Sequence, residues 1–192
     1  SKITSLFGHI RVNWGIDELF INTELNNNID NNLSTFTSRP DRNLDLLINI
    51  WNNHIYPKFN SGKLLITPPT NQIDLSKNIF LRNADSRIEM INDIKKSRIF
   101  LIPGHKAELY CLAAEEASEL CIPIVTLGIG SLSERVIHDK TGFIAKNNEE
   151  FSDYTIQLYK NDDLWKQIRN NLIMMRGKNK WSNVASDFMS KV

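Results

Sequence analysis

The chain has 192 residues, 41% of them hydrophobic and 23% charged, an ordinary composition for a globular protein of one large domain. A formal net charge of +1 excludes the basic surplus that holds nucleic acid by counterion release. No apolar run approaches the roughly 20 residues a bilayer requires, and residues 1–20 lack the apolar core of a signal peptide.

The chain opens at Ser1 without a methionine, which reads as a segment of a longer protein. Ile10 to Phe20 (IRVNWGIDELF) predicts a short strand, an Asn-Trp-Gly turn and a polar step. Asn26 to Asn32 (NNNIDNN) has little to bury and predicts a loop or linker. Leu33 to Thr37 is a short strand, followed by Ser38-Arg39-Pro40-Asp41-Arg42. Leu44, Leu47, Ile48, Trp51 and Ile55 then form one apolar stripe at helical spacing, ending near Pro57. Lys63 to Thr67 is the next strand, closed by Pro68-Pro69, and Ile79 to Arg82 is the third.

Residues 85–97 predict a helix with Ile88, Ile91 and Ile94 inward. Ile99 to Ile102 is a strand stopped by Pro103-Gly104, and Pro123 to Leu127 is another, stopped by Gly128-Ile129-Gly130. Between them lies a helical segment carrying Glu108 and Glu116. Cys111 and Cys121 flank that helix, roughly 15 Å apart for three turns, too distant for a disulfide. They predict packing thiols in a reducing compartment. Leu132 to His138 is a short helix and Gly142 to Ala145 an edge-like strand. Helices over 149–160, 162–176 and Trp181 to Val192 complete the chain. Strands alternate with helices and every long connection reads as a helix. That predicts an α/β fold: a Rossmann-like, doubly wound parallel sheet of about six strands with helices on both faces.

Several chemistries lack their residues. No GxGxxG follows the first strand, and Gly128-Ile129-Gly130 is only a fragment of one. There is no GxxxxGK[ST], no GxSxG, and no His/Cys/Asp cluster at metal-ligand spacing. What remains is charge at loop–helix junctions. Arg39 and Arg42 open the first long helix, where free N–H groups and two guanidiniums would clamp a pyrophosphate. A single loop arginine reads more simply as solvated. Glu108 reads either as a cap of its helix or as a ligand group. Glu116, between Ala114 and Ala117, needs a partner if buried, and hydroxyls suit an acceptor-only carboxylate. Glu115, Glu119, Arg135 and Lys140 read as solvent-facing. His105 and Lys106 read as loop residues, and Trp51, Trp165 and Trp181 as packing. Arg82 reads as a strand-end structural arginine, though it could stack on a base.

These residues resemble a known pattern. The span from Glu108-Leu109-Tyr110-Cys111 to Glu116-Ala117-Ser118-Glu119-Leu120-Cys121-Ile122-Pro123-Ile124-Val125 is similar to the E-x7-E motif in the C-terminal domain of retaining GT-B glycosyltransferases of family 4. Gly130-Ser131-Leu132-Ser133-Glu134-Arg135-Val136, Thr141-Gly142, Asn13-Trp14-Gly15-Ile16-Asp17, Arg39 with Arg42, and Trp181-Ser182-Asn183-Val184-Ala185 resemble further family features in the family's order. The resemblance covers residue 10 to the end. It departs from the family at Asn43, Cys111 and Cys121, where glycine is usual, at Pro68-Pro69, and at Ser133 in place of proline.

The resemblance implies a donor-binding domain for a nucleoside-diphosphate sugar, acting without a metal or other cofactor. It implies that Arg42, helped by Arg39, holds the diphosphate. The amides of Tyr110, Cys111 and Leu112 would face the phosphate, Glu116 the ribose and Glu108 the transferred sugar. The base would lie near Arg82 and Asn83. Glu108 and Arg42 would stand closest to the reaction. The expected division is 1–32 as interdomain remnant and linker, 33–180 as the nucleotide-sugar domain and 181–192 as a C-terminal helix. The partner would be an N-terminal acceptor domain of the same protein; this segment would not transfer sugar alone. Neither nucleic acid nor a transmembrane segment is expected, and the setting would be cytoplasmic, peripheral to a membrane at most. The rival readings are a non-catalytic glycosyltransferase-like module and a GT-B-fold 2-epimerase; the E-x7-E spacing argues against the epimerase.

Overall fold

The computed structural model describes residues 14–25, 28–83 and 86–191. The expected strand from Ile10, the match at Asn13, Asn26 and Asn27 of the polar run, Asp85 at the expected start of a helix and Val192 at the end of another lie outside the described residues.

Six strands form one parallel sheet: β1 (Asp30–Phe36), β2 (Lys63–Ile66), β3 (Ile79–Leu81), β4 (Ser97–Leu101), β5 (Ile124–Thr126) and β6 (Gly142–Ile144). Their order is β3-β2-β1-β4-β5-β6. Phe36 is paired with Ile66, Thr35 with Phe100, Val125 with Leu101 and Phe143. The order reverses between β1 and β4. Strand ends diverge there, and open α/β sheets bind ligands at that crevice. The two apolar runs on β4 and β5 are buried throughout, as strands covered on both faces must be.

The helices are α1 (Glu18–Asn22), α2 (Leu44–Ile50), α3 (Arg87–Lys96), α4 (Leu112–Glu119), α5 (Leu132–Arg135), α6 (Asn148–Lys160), α7 (Asp162–Met175) and α8 (Trp181–Lys191). The predicted stripe on α2 is buried at Leu44, Leu47, Trp51 and Ile55, but the turn from Trp51 to Ile55 is a π-helix. Trp51 Nε1 donates to Lys77 O (2.8 Å). Trp165 is buried, and its Nε1 donates to Arg98 O (2.8 Å). On α3, Ile91 and Ile94 face the core while Ile88 in the first turn is exposed.

Ile88 thus departs from the expected inward face, and two further expectations change. Asp30, Asn31 and Asn32 belong to β1, not to a linker. Their polarity is matched by long-range partners: Lys63 Nζ reaches Asp30 Oδ2 (2.9 Å) and Arg98 Nη1 reaches Asn31 Oδ1 (2.9 Å). The connection from β2 to β3, residues 67–78, contains no helix. Pro68-Pro69 opens it, and it turns at Lys77 and Asn78, both with positive φ; the Asn78 amide donates to Asn60 O (3.0 Å) and Gly62 O (3.2 Å).

Candidate functional site

At the β1–β4 reversal, a cleft of about 470 Å³ is lined by Thr37, Ser38, Arg39 and Arg42 after β1, and by residues 107–113 after β4, with Trp14 across its mouth. The first wall is built by the turn into α2. Arg42 N–H donates to Arg39 O (3.0 Å) and Leu44 N–H to Pro40 O (3.2 Å). Asn43 takes the left-handed conformation (φ 63°), and its amide donates to Gly104 O (2.5 Å). Asparagine tolerates this region better than most residues. Here its side chain also ties the β1 turn to the loop after β4.

The second wall carries Glu108, which lies before the helix and not on it. α4 starts at Leu112, behind Cys111 in left-handed conformation (φ 60°). The expectation of a helix-borne Glu108 is therefore corrected, and capping does not explain it. Its backbone is fixed instead: Glu108 N–H donates to His105 O (2.9 Å) and Ser131 N–H to Glu108 O (3.1 Å), while His105 Nδ1 accepts from Ala107 N–H (3.1 Å). The Gly128-Ile129-Gly130 loop packs beneath. A Cβ on Gly130 (φ +71°) would lie 2.3 Å from His105 O and 3.0 Å from Glu108 O. Gly130 thus leaves room for the Glu108 turn, while a Cβ on Gly128 (φ +68°) would meet Ile144 on β6 at 2.8 Å.

The two walls meet at an ion pair: Arg42 Nε lies 3.4 Å from Glu108 Oε2, each side chain 19% exposed. Arg42 Nη1 also lies 3.4 Å from Asp41 Oδ2. Arg39 is 68% exposed and donates to Asp41 Oδ2 at 3.2 Å. Beside this pair lies the start of α4. Ala114 and Glu115 N–H bond Cys111 O, whereas the amides of Leu112 and Ala113 have no acceptor among the described residues. The buried Cys111 thiol is pushed up to about 12 by burial, with the charges of Glu108, Glu115 and Glu116 adding to it. It stays protonated.

Glu116 sits one turn into α4, half-buried and outside the cleft lining. Its carboxyl is raised to about 7, chiefly by burial; Asp17 adds to the rise and Arg87 opposes it. It accepts no side-chain hydrogen bond among the described residues. Arg82 is buried and ion-paired with Asp93 Oδ2 (3.3 Å). Asn83 is exposed beyond β3. Neither lines the cleft.

Glu115 and Glu119 are not solvated, as expected from the sequence, but buried. The chain returns over α4: Gly177 N–H donates to Glu119 Oε2 (2.9 Å), and Asn179 Nδ2 to Glu115 Oε2 (3.0 Å). Arg135, expected in solvent, is 9% exposed and bonds Glu115 Oε1 at 2.8 Å. Trp181 is half-exposed, yet its ring fills the space over Gly15, where a Cβ would lie 2.3 Å from it. Sequence reading missed Trp14, Thr37, Ser38, Ala107, Leu109 and Ala113 as cleft residues. Trp14 carried a signal, in the Asn-Trp-Gly-Ile-Asp stretch, as did Leu109 and Ala113 inside the E-x7-E span, Leu109 92% exposed.

Comparison with known proteins agrees with this architecture. The structure of TarM superposes with a TM-score of 0.73 at 20% identity, over 88% of this chain and 36% of that one. The C-terminal domain of a glycosyl transferase group 1 family protein (LpcC) from Francisella tularensis gives 0.67 at 18% identity, over 87% of this chain and 100% of that one. Anabaena Alr3699/HepE in complex with UDP-glucose gives 0.68 at 12% identity, over 85% and 50%. The chain thus spans about a third of TarM and half of HepE. No curated protein matches it. The family model described as "Glycosyl transferases group 1" matches residues 69–173, more than half of the chain. With a parallel six-stranded Rossmann-like sheet like that of its structural neighbours, the chain belongs to the group 1 glycosyl transferase family.

Proposed function

We propose that this chain is the donor-binding domain of a retaining GT-B glycosyltransferase and holds a nucleoside-diphosphate sugar in the β1–β4 cleft. The observation that carries this reading is the convergence of Arg42, Glu108 and the amino end of α4 on one cavity at the sheet's reversal point. Arg42, with the exposed Arg39 beside it, binds the diphosphate through charge-assisted hydrogen bonds. The amides of Leu112 and Ala113, with those of Tyr110 and Cys111, add the partial positive charge of a helix N-terminus. As the sugar–phosphate bond breaks, charge grows on the departing diphosphate, and donors that line its cleft stabilise that charge. No resident metal or other cofactor is required for that stabilisation. Glu108, held between Arg42 and the glycine loop, accepts a hydroxyl of the transferred sugar. Glu116 accepts the ribose hydroxyls, and the base lies toward the ends of β2 and β3, near Asn83 and the Arg82–Asp93 pair.

The reaction, transfer of the sugar to an acceptor hydroxyl with retention, needs a facing N-terminal domain. Support comes from the short share of TarM that this chain spans and from the exposed apolar rim of Trp14, Leu109 and Leu112. We assign 33–180 to the donor domain, 1–32 to the junction and 181–192 to the closing helix, and a cytoplasmic setting, consistent with two free, buried cysteines. Among the described residues no helix is long and apolar enough to cross a membrane. UDP and UDP-glucose are the first ligands to try, because a TarM variant and HepE were crystallised with them. Robust sugar transfer by residues 1–192 alone would contradict the proposed division of labour. If thermal shift detects no nucleoside diphosphate, the chain is instead a non-catalytic module.

A further inference from the structure

Tyr110 stands between two walls. On its cleft side its hydroxyl donates to Trp14 O (3.0 Å), and the two rings lie 6.0 Å apart. On its other side the Arg135 guanidinium lies over the ring, 4.1 Å from its centroid. Arg135 is fastened there by Glu115 Oε1 (2.8 Å) and, more loosely, by Glu134 Oε2 (3.5 Å). Glu115 is fastened by Asn179, whose carbonyl accepts Ile16 N–H (2.9 Å). The contacts form a ring that returns to within two residues of Trp14. One atom is left over: Arg135 Nε is buried without a hydrogen-bond partner. Leaving a buried donor unpaired has a cost. A methionine or leucine would avoid that cost but leave the buried Glu115 carboxylate without its cation. The ion pair accounts for a positive charge here, which a lysine could supply, but not for a guanidinium plane lying over the Tyr110 ring. Its planar face over an aromatic ring is what arginine supplies and an aliphatic chain does not.

We propose that Arg135 is a positioning residue for the donor site: it holds Tyr110 from behind, and through Tyr110 the Trp14 wall of the cleft. The inference rests on the donor-site reading above. Arg135 touches no donor atom itself. It sets where the Tyr110 ring and the backbone entering α4 stand when the diphosphate arrives. Glu115 is its anchor and Asn179 the anchor's own support, so the returning segment after α7 contributes to the donor site without lining it.

The test is a double-mutant cycle on residues 1–192, read as the Kd for UDP and for GDP on protein held well below its melting temperature. Arg135→Met is expected to weaken binding about tenfold, and Arg135→Lys to recover only part of that, since an ammonium lacks the planar face. Tyr110→Leu is expected to weaken binding similarly. On that background Arg135→Met should add almost nothing, because the two act as a unit. A merely structural Arg135 would lower the melting temperature with Kd unchanged, or would give an effect additive with Tyr110→Leu; either result overturns the proposal. If Arg135→Met does not fold, Arg135→Lys alone and with Tyr110→Leu completes the same cycle, and an unchanged Kd in the lysine variant overturns it. Wild-type binding that depends on Arg42 but not on Arg135 removes this inference and leaves the donor site standing. Binding of neither nucleotide by the wild type removes both.

Discussion

Three residues that depart from the family's glycines, Asn43, Cys111 and Cys121, all keep the left-handed backbone that glycine would supply, with φ between 58° and 63°. The departures therefore preserve chain path at a cost of roughly 1–2 kcal/mol each, least for asparagine. This predicts an order at position 43. Asn43→Gly loses only the bond to Gly104 O, whereas Asn43→Ala loses the bond and keeps the strain. Chemical denaturation should find Asn43→Ala less stable than Asn43→Gly by about 1 kcal/mol. Glu116 gives a second prediction. Its carboxyl rises from 4.5 to about 7 on folding, so the folded chain binds more protons than the unfolded one between those values. Stability falls as pH rises through that window, and Glu116→Gln should flatten the fall. Ionised Glu116 is also the better acceptor of ribose hydroxyls, so UDP affinity should rise from pH 6 to 8 more in wild type than in Glu116→Gln. The comparison cancels the titration of the nucleotide itself. Neither the conformation at Asn43 nor the partners of Glu115 and Arg135 could be read from sequence. A residue's φ leaves no mark in its spacing, and partners 20 and 64 positions away turn an apparently solvated charge into a buried one.

At the scale of elements, the alternation of apolar runs and amphipathic stripes was legible because both faces of the sheet are covered. The irregular parts were not. Asp30 to Asn32 looked like linker because their β-pairing is supported by Lys63 and Arg98, which local composition does not reveal. Glu108 looked helical because the E-x7-E spacing matches two helical turns, yet Cys111 breaks the chain before α4. Two elements invite tests. Gly130→Ala should displace the Glu108 turn, since its Cβ would meet His105 O at 2.3 Å; a loss of stability of about 1–3 kcal/mol and weaker UDP binding are expected together. Arg98, the second residue of β4, is fully buried, donating to Leu158 O (2.7 Å), Asn31 Oδ1 (2.9 Å) and Asp162 Oδ1 (2.6 Å). It joins β1, β4, α6 and α7 at the amino end of β4, opposite the strand ends that border the cleft. Arg98→Ala should cost about 2–3 kcal/mol by leaving Leu158 O and Asn31 Oδ1 without this donor and removing a buried side chain, the exposed Asp162 carboxylate being solvated instead, measurable by denaturant titration, with UDP affinity of the folded fraction unchanged.

For the whole molecule, strand order brings together what the chain keeps apart. Arg42 and Glu108 are 66 positions apart, and only the reversal between β1 and β4 makes them neighbours. The fold thus turns two individually weak signals, a loop arginine and a helix-end glutamate, into one cleft. The claim on which the account depends is that this cleft holds the diphosphate of a nucleotide at Arg42, with the ribose reaching past the cleft lining to Glu116 on α4. Isothermal titration calorimetry of residues 1–192 with UDP and GDP tests it directly, run beside Arg42→Ala and Glu116→Ala. The account predicts saturable binding of at least one nucleotide, weakened by roughly tenfold or more in each variant, as loss of a hydrogen bond to a charged group of about 1.5–3 kcal/mol requires. Absence of binding by the wild type, or binding undiminished in both variants, would contradict it.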